Sequence, residues 1–459
     1  MTTPTQDIDE ASPRIQNRAE LIEWFEHGEK PKPDWRVGTE HEKFGFICDG
    51  YKPLPYAGDI SVLTILENMR DKYQWQPIEE NGYLIGLKRD GASISLEPGG
   101  QFELSGAPLE HVHETCNELN NHLAEVRQIT EPMGVGFIGL GASPLWSMDE
   151  TPMMPKGRYQ IMRDYMSKVG RLGREMMFRT CTVQANLDYS SESDMVKKFR
   201  VALALQPLGT ALFANSPFID GRTNGFLSYR SRVWTDTDPD RTGMLPFVFE
   251  DGFGYEQYAD YALDVPMYFV RRGGKYLDAS GLSFRDFMSG DLPLLPGERP
   301  AIDDFEDHLS TIFPEVRLKR FLEMRGSDSG PWSSICAFSA FWVGLLYDQT
   351  SLDASWELVK NWTANEREAM RQNTGLLGLK TPIPGGATLQ DLAIDVLKLS
   401  REGLRARNKL STSGENETGF LEQLNQICKS GITPAERLLA RYNTDWGRDV
   451  RPVFDFCAY

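Results

Sequence analysis

The chain has 459 residues, enough for one large core or two ordinary ones, and its 40% hydrophobic and 25% charged content is that of a folded globular protein. A formal net charge of −17 excludes a general nucleic-acid binder, which needs a basic surface, but not a local pocket of arginine, lysine and metal that takes a phosphate. No apolar run approaches the roughly 20 residues that span a bilayer, and Met1–Arg14 is polar and acidic, unlike a signal or transit peptide.

These features predict a cytoplasmic location, where thiols stay reduced, with no membrane or nucleic-acid partner. The six cysteines are scattered without a CxxC or zinc spacing, and most are expected to be small buried apolar residues.

Residues 1–17 are expected to be a flexible N-terminus, followed by a helix over Arg18–His27 and a strand over Arg36–Phe46. Tyr83–Lys88 and Ala92–Glu97 read as two strands joined by a tight Asp90-Gly91 turn, a strong hairpin signal. Leu109–Glu131 has helical periodicity and is closed by Pro132. Phe178–Asp188 alternates as a strand, Met195–Ala214 reads as a helix, and Val316–Arg325 as a further strand. From residue 338 onward helical patterns dominate, over Trp342–Tyr347, Asp353–Trp362, Leu389–Arg407, Phe420–Cys428 and Pro434–Tyr442. Strands and helices intermix without a βαβ rhythm, and no Gly-rich phosphate loop follows a strand. The expected class is therefore α+β around an antiparallel sheet, with residues 18–459 forming one catalytic domain and 338–459 a mainly helical cap.

Four strand-like segments carry the polar chemistry. Within Gly38–Phe46, Glu40 and Glu42 are two apart and project from one face of a strand. Two such carboxylates repel each other unless they are solvated or a hard cation lies between them. Ser93, Ser95 and Glu97 share a face of the second hairpin strand; after Pro98-Gly99-Gly100, Gln101 and Glu103 share a face of the next. Carboxylate and amide oxygens opposite an apolar face suit Mg²⁺ rather than zinc, although a polar strand edge has the same pattern. In Thr180–Asp188, Thr182, Gln184 and Asn186 alternate with apolar residues, forming a row of neutral hydrogen-bonding groups. In Leu322–Asp328, Glu323 and Arg325 pair a carboxylate with a fixed cation; alone, this is an ordinary ion pair.

Two basic segments complete the set. Met154–Tyr159 places Lys156 and Arg158 at a helix start, and Ser228–Trp234 reads as an extended stretch with Arg230 and Arg232 on one face. Arginine is suited to bidentate recognition of carboxylate or phosphate, although surface arginines are common.

Taken together, these segments resemble the plant-like glutamate–cysteine ligase family. The resemblance runs from about Arg18 to Tyr459 through ten ordered segments: Gly38–Phe46, Ile85–Lys88, Ser93–Pro108, Met154–Tyr159, Met176–Leu187, Leu205–Pro217, Trp234–Phe249, Tyr255–Met267, Thr311–Gly326 and Phe341–Asp348. It implies a glutamine-synthetase-like curved antiparallel sheet forming a funnel, with helices outside. It also implies an ATP- and Mg²⁺-dependent ligation of L-glutamate, through its γ-carboxylate, to L-cysteine by way of γ-glutamyl phosphate, the first step of glutathione biosynthesis.

Carried over residue by residue, the resemblance makes Glu40, Glu42, Glu97, Gln101, Glu103 and Glu323 metal-side ligands. Gln184 and Asn186 line the floor beside them, and Arg158 and Arg230 bind glutamate. Tyr268 belongs to the cysteine pocket, Arg325 contacts the γ-phosphate, and Glu42, Glu103 and Arg325 form the catalytic set. The expected partners are the two amino acids, for a monomer or weak homodimer. Cys116 and Cys336 match one of two redox-active pairs of plant members, while Ala279 and Leu294 stand where the other would be. With no plastid transit peptide in view, a bacterial cytoplasmic member is expected. The rival readings are a ligase with another amine acceptor, a carboxylate-bridged dimetal hydrolase and a silent binding protein.

Overall fold

The computed structural model describes residues 13–459. The stretch expected to be flexible, 1–17, lies mostly outside them; within the described part, Ile15 is buried and its N–H donates to the Pro300 oxygen at 2.8 Å.

The architecture is organised around one strand, Val37–Ile47. Its first half pairs antiparallel with Phe102–Ser105 on one side and Thr182–Leu187 on the other. Its last four residues change neighbours, pairing with Val135–Ile138 and Lys52–Pro53. Outward from it the sheet runs to Ala92–Leu96, Tyr83–Arg89 and Gln76–Glu80 at one edge, and to Leu322–Asp328 and Val316–Leu318 at the other. All ten strands pair antiparallel, as expected for an α+β protein without βαβ units. The predicted hairpin is present: Asp90 and Gly91 both have positive φ, 51° and 85°, the requirement of a type I′ turn.

Helices cover the apolar face of the sheet. Glu192–Leu212 packs on Leu322–Asp328, and Trp332–Leu346 packs on the central strands and on Leu389–Arg407. One continuous apolar cluster joins Ile15 and Phe25 to Leu187, Met324, Trp342, Val396 and Cys428, so the C-terminal helices share the core of the sheet. The helical character expected after residue 338 begins earlier, at Trp332, and includes the unanticipated helix Ala364–Leu377. Cys116 and Cys336, on two helices behind the sheet, form the implied disulfide, with Cα atoms 5.8 Å apart. Among the described residues, no helix is long and apolar enough to cross a membrane.

Three expectations are corrected. Val316–Arg325 is not one strand but a hairpin turning at Lys319–Phe321, so Arg317 lies opposite Glu323. Phe178 belongs to the helix Gly173–Arg179, and the strand begins only at Thr182. Ser228–Trp234 is not extended: Ser228 caps a short helix, Tyr229–Trp234, by accepting the Ser231 N–H at 3.1 Å. Residues two apart on a helix point away from each other, so Arg230 is buried while the Arg232 side chain stays one-third exposed.

Candidate active site

Directly opposed residues in an antiparallel pair share a face, so register decides which polar side chains meet. Glu42 lies opposite Glu103, Glu40 opposite both Gln184 and Ser105, and Glu323 opposite Asn186. The alternation seen separately in four segments is thus one polar sheet face, over which a cleft of about 800 Å³ opens, part of it solvent space.

One half of this face is acidic. Glu42, Glu97 and Glu103 line the cleft together. The Glu42 Oε2 accepts the Thr182 N–H at 3.0 Å, and the Glu103 Oε2 accepts the Ser95 hydroxyl at 2.7 Å. Burial, then repulsion from Glu97, pushes Glu42 up to about 8. Glu103 is raised well above the usual carboxylate range by burial and then by Glu97, Glu40 and Glu42. Burial and mutual repulsion thus outweigh the pull that Arg230 and Arg325 exert on Glu42 from across the cleft.

The other half is basic. Arg317 grips Glu323 with two hydrogen bonds, Nε to Oε2 at 2.6 Å and a terminal nitrogen to Oε1 at 3.1 Å. Arg325 donates to Glu323 Oε2 at 2.9 Å and also to the Gln184 side-chain oxygen. Burial alone would raise Glu323, but Arg317, then Lys319 and Arg325, hold it well below the ordinary carboxylate range. Arg230 reaches the same wall and donates to the Arg325 backbone oxygen at 2.9 Å. Arg158 enters from the first turn of the helix Gly157–Val169, as the sequence suggested, and lines the cleft.

Some expected residues sit differently. Gln101 lines the cleft, but its amide is used by the backbone: its oxygen accepts the Gly99 N–H, and its nitrogen donates to the Met177 and Thr180 oxygens. Asn186 donates to Glu40 at 2.7 Å and orders that carboxylate. Tyr268 is not brought to the cleft wall; its ring packs 3.8 Å from the Arg241 guanidinium, and its hydroxyl meets Met166.

Arg317 was missed because reading Val316–Arg325 as one strand hid the turn that brings it opposite Glu323. Asp328 was also missed as a site residue. Buried, it accepts the Ser216 and Ser228 hydroxyls and the Asn215 N–H, and so anchors the helix that bears Arg230.

The acidic half fits Mg²⁺ by donor chemistry: the carboxylates of Glu42, Glu97 and Glu103 offer only hard oxygens, and two of them, Glu42 and Glu103, are raised by burial and by neighbouring carboxylates, a repulsion that a hard cation would relieve. Among the described residues no three acidic, histidine or cysteine groups converge closely enough to cage a metal.

The family model of glutamate–cysteine ligase family 2 matches residues 36–455. The chain belongs to this family. It is 56% identical to the chloroplastic glutamate–cysteine ligase B of Oryza sativa subsp. japonica, over 96% of this chain and 87% of that protein. It is 55% identical to the chloroplastic glutamate–cysteine ligase of Arabidopsis thaliana, over 99% of this chain and 85% of that one. The fold resembles that of a Francisella tularensis glutamate–cysteine ligase solved in complex with AMP, with a TM-score of 0.57 at 12% identity, covering 94% of this chain and 88% of that one. The plant relatives correct the cytoplasmic expectation, since both are chloroplastic by name. Compartment is set by removable targeting segments, on which the composition of the folded chain has no bearing.

Proposed function

We propose that this chain is an ATP-dependent glutamate–cysteine ligase that joins the γ-carboxylate of L-glutamate to the amine of L-cysteine through γ-glutamyl phosphate, the first step of glutathione synthesis. The observation that carries the reading is one cleft over a single sheet face with an acidic side, Glu42, Glu103 and the adjoining Glu97, and a basic side, Arg317 and Arg325 joined by Arg230 from the neighbouring helix.

A glutamate γ-carboxylate oxygen attacks the terminal phosphorus of ATP, and ADP leaves. The cysteine amine then attacks the acyl carbon, loses a proton and expels phosphate. The first encounter is between anions: a unit charge meeting about two negative charges at 4 Å costs roughly 8 kcal/mol at an effective dielectric of 20. Arg325, held in place by Glu323 and Gln184, faces the transferring phosphoryl and offsets part of that repulsion. Arg158 and Arg230 orient glutamate through its carboxylates. Glu42, Glu97 and Glu103 line the metal side, where one or two of them would hold the ion together with the phosphates of ATP, with Glu40 ordered beside them by Asn186 and Gln184. Mg²⁺ bound there would neutralise the phosphate oxygens. Activating the carboxylate in this way requires no nucleophilic serine or cysteine.

We take residues 18–459 as one catalytic unit, a reading supported by the apolar cluster that runs from the first helix into the C-terminal helices. Phosphate release from ATP that requires both glutamate and cysteine, with γ-glutamylcysteine formed in equal amount, is the expected assay result. Release without either amino acid would instead indicate a hydrolase, and product with another amine in place of cysteine would reassign the acceptor.

A further inference from the structure

The helix Ala364–Leu377 belongs to the C-terminal helical region, yet it supports the basic wall of the cleft from behind. Its Arg371 side chain is 9% exposed and does not line the main cleft. The guanidinium joins three elements. Its Nε donates to Glu315 Oε1 at 2.8 Å, one terminal nitrogen to the Trp234 backbone oxygen at 2.9 Å, and the other to Glu368 Oε1 at 3.2 Å.

Two of those partners lead directly to active-site arginines. Trp234 ends the short helix that carries Arg230. The backbone oxygen of Glu315 accepts the Arg325 N–H at 3.1 Å, where the strand register shifts between Met324 and Ser327. Such bulges re-aim a side chain, and here the side chain is that of Arg325. Arg371, Glu315, Trp234, Arg230 and Arg325 together line a small recess that shares its walls with the cleft. One turn further on, the Gly375 oxygen accepts the Leu227 and Ser228 N–H groups at 2.8 and 3.0 Å. A Cβ at Gly375 would lie 2.9 Å from the Ser228 oxygen, so only glycine allows the two helices to dock this closely.

We infer that Arg371, locked to Glu315, is a positioning residue that sets the relative placement of Arg230 and Arg325 in the basic half of the cleft. The inference rests on the reading that those two arginines contact the substrates. A lysine at 371 keeps the charge but cannot span three partners with a planar fork, so it separates positioning from simple charge balance.

The test uses steady-state kinetics and thermal unfolding of the full chain carrying R371K, R371M, E315Q or R371K/E315Q. R371K is expected to fold with a melting temperature within a few degrees of the parent. Its KM for glutamate should rise about tenfold while KM for cysteine stays within about twofold. E315Q should behave alike, and the double variant should be little worse than either single one, because the pair acts as a unit.

Unchanged glutamate KM and kcat in both R371K and R371M would overturn the inference. So would losses spread evenly over all three substrates in step with lost stability, which mark a merely structural ion pair. R230K and R325K, measured alongside, separate the two levels. If they are impaired while the 371 and 315 variants are not, the inference alone falls. If R230K and R325K are themselves unimpaired, the substrate reading falls and takes the inference with it.

Discussion

Glu103 and Glu323 occupy the same sheet face and are almost equally buried, at 2% and 0% exposure, yet their surroundings are opposite. Glu323 is held by Arg317 and Arg325 within hydrogen-bond distance. Glu103 accepts hydrogen bonds from the hydroxyls of Ser95 and Ser105, with Glu42 directly across the strand pair. One half of the face therefore completes its charge pairing at hydrogen-bond distance, whereas in the other the carboxyls bond to hydroxyl and backbone N–H donors and repel one another. A buried carboxylate is thus informative about a ligand only when its local countercharges are known.

The comparison predicts that the same substitution acts in opposite ways in the two halves. Glu323→Gln leaves Arg317 and Arg325 buried with their shared carboxylate gone, which should destabilise the fold by about 3–5 kcal/mol in denaturant titration. A loss below about 1 kcal/mol would show that the basic half is not a closed pairing. Glu103→Gln should do the reverse in chelator, leaving stability equal or higher because a neutral amide replaces a carboxyl whose charged form burial and its neighbours already disfavour. Its turnover should nevertheless fall by at least about a hundredfold, the scale of losing one preorganised electrostatic group. Near-normal turnover at limiting Mg²⁺ would remove Glu103 from the metal side.

A smaller effect sharpens the contrast through pH. Glu42 is raised in the folded chain from 4.5 to about 8. Between those values the native state binds more protons than the unfolded state, so this group lowers stability as pH rises through the window. Mg²⁺ competes with those protons and stabilises by linkage. Its effect on the melting temperature should therefore be larger at about pH 8.5 than at about pH 6, and the difference should shrink in Glu42→Gln. Equal Mg²⁺ shifts at the two pH values, in parent and variant alike, would contradict an acidic half that waits for a cation.

Much of this was legible from alternation alone. It puts Glu40 and Glu42, Gln184 and Asn186, and Glu323 and Arg325 each on one face of a strand, and strands are found at all three places. What joins them is register between segments far apart in sequence, and no local pattern carries that information. The hairpin at Lys319–Phe321 lacks a Gly or Asn turn signal, so Arg317 was hidden. The Arg230 helix is six residues long, too short for periodicity to reveal, and is specified by buried Asp328 and the Ser228 cap. Gln101 reads as a ligand from alternation, because no local pattern shows the Gly99, Met177 and Thr180 backbone groups that occupy its amide in the fold.

The most direct test of the central claim, that the two halves together activate a carboxylate by phosphoryl transfer, follows an oxygen atom. Glutamate carrying heavy oxygen in both γ-carboxylate positions is turned over with ATP and cysteine, and the released phosphate is examined by mass spectrometry. Attack of the carboxylate on the terminal phosphorus predicts one heavy oxygen in each phosphate released with γ-glutamylcysteine. Unlabelled phosphate accompanying the same product would contradict the account.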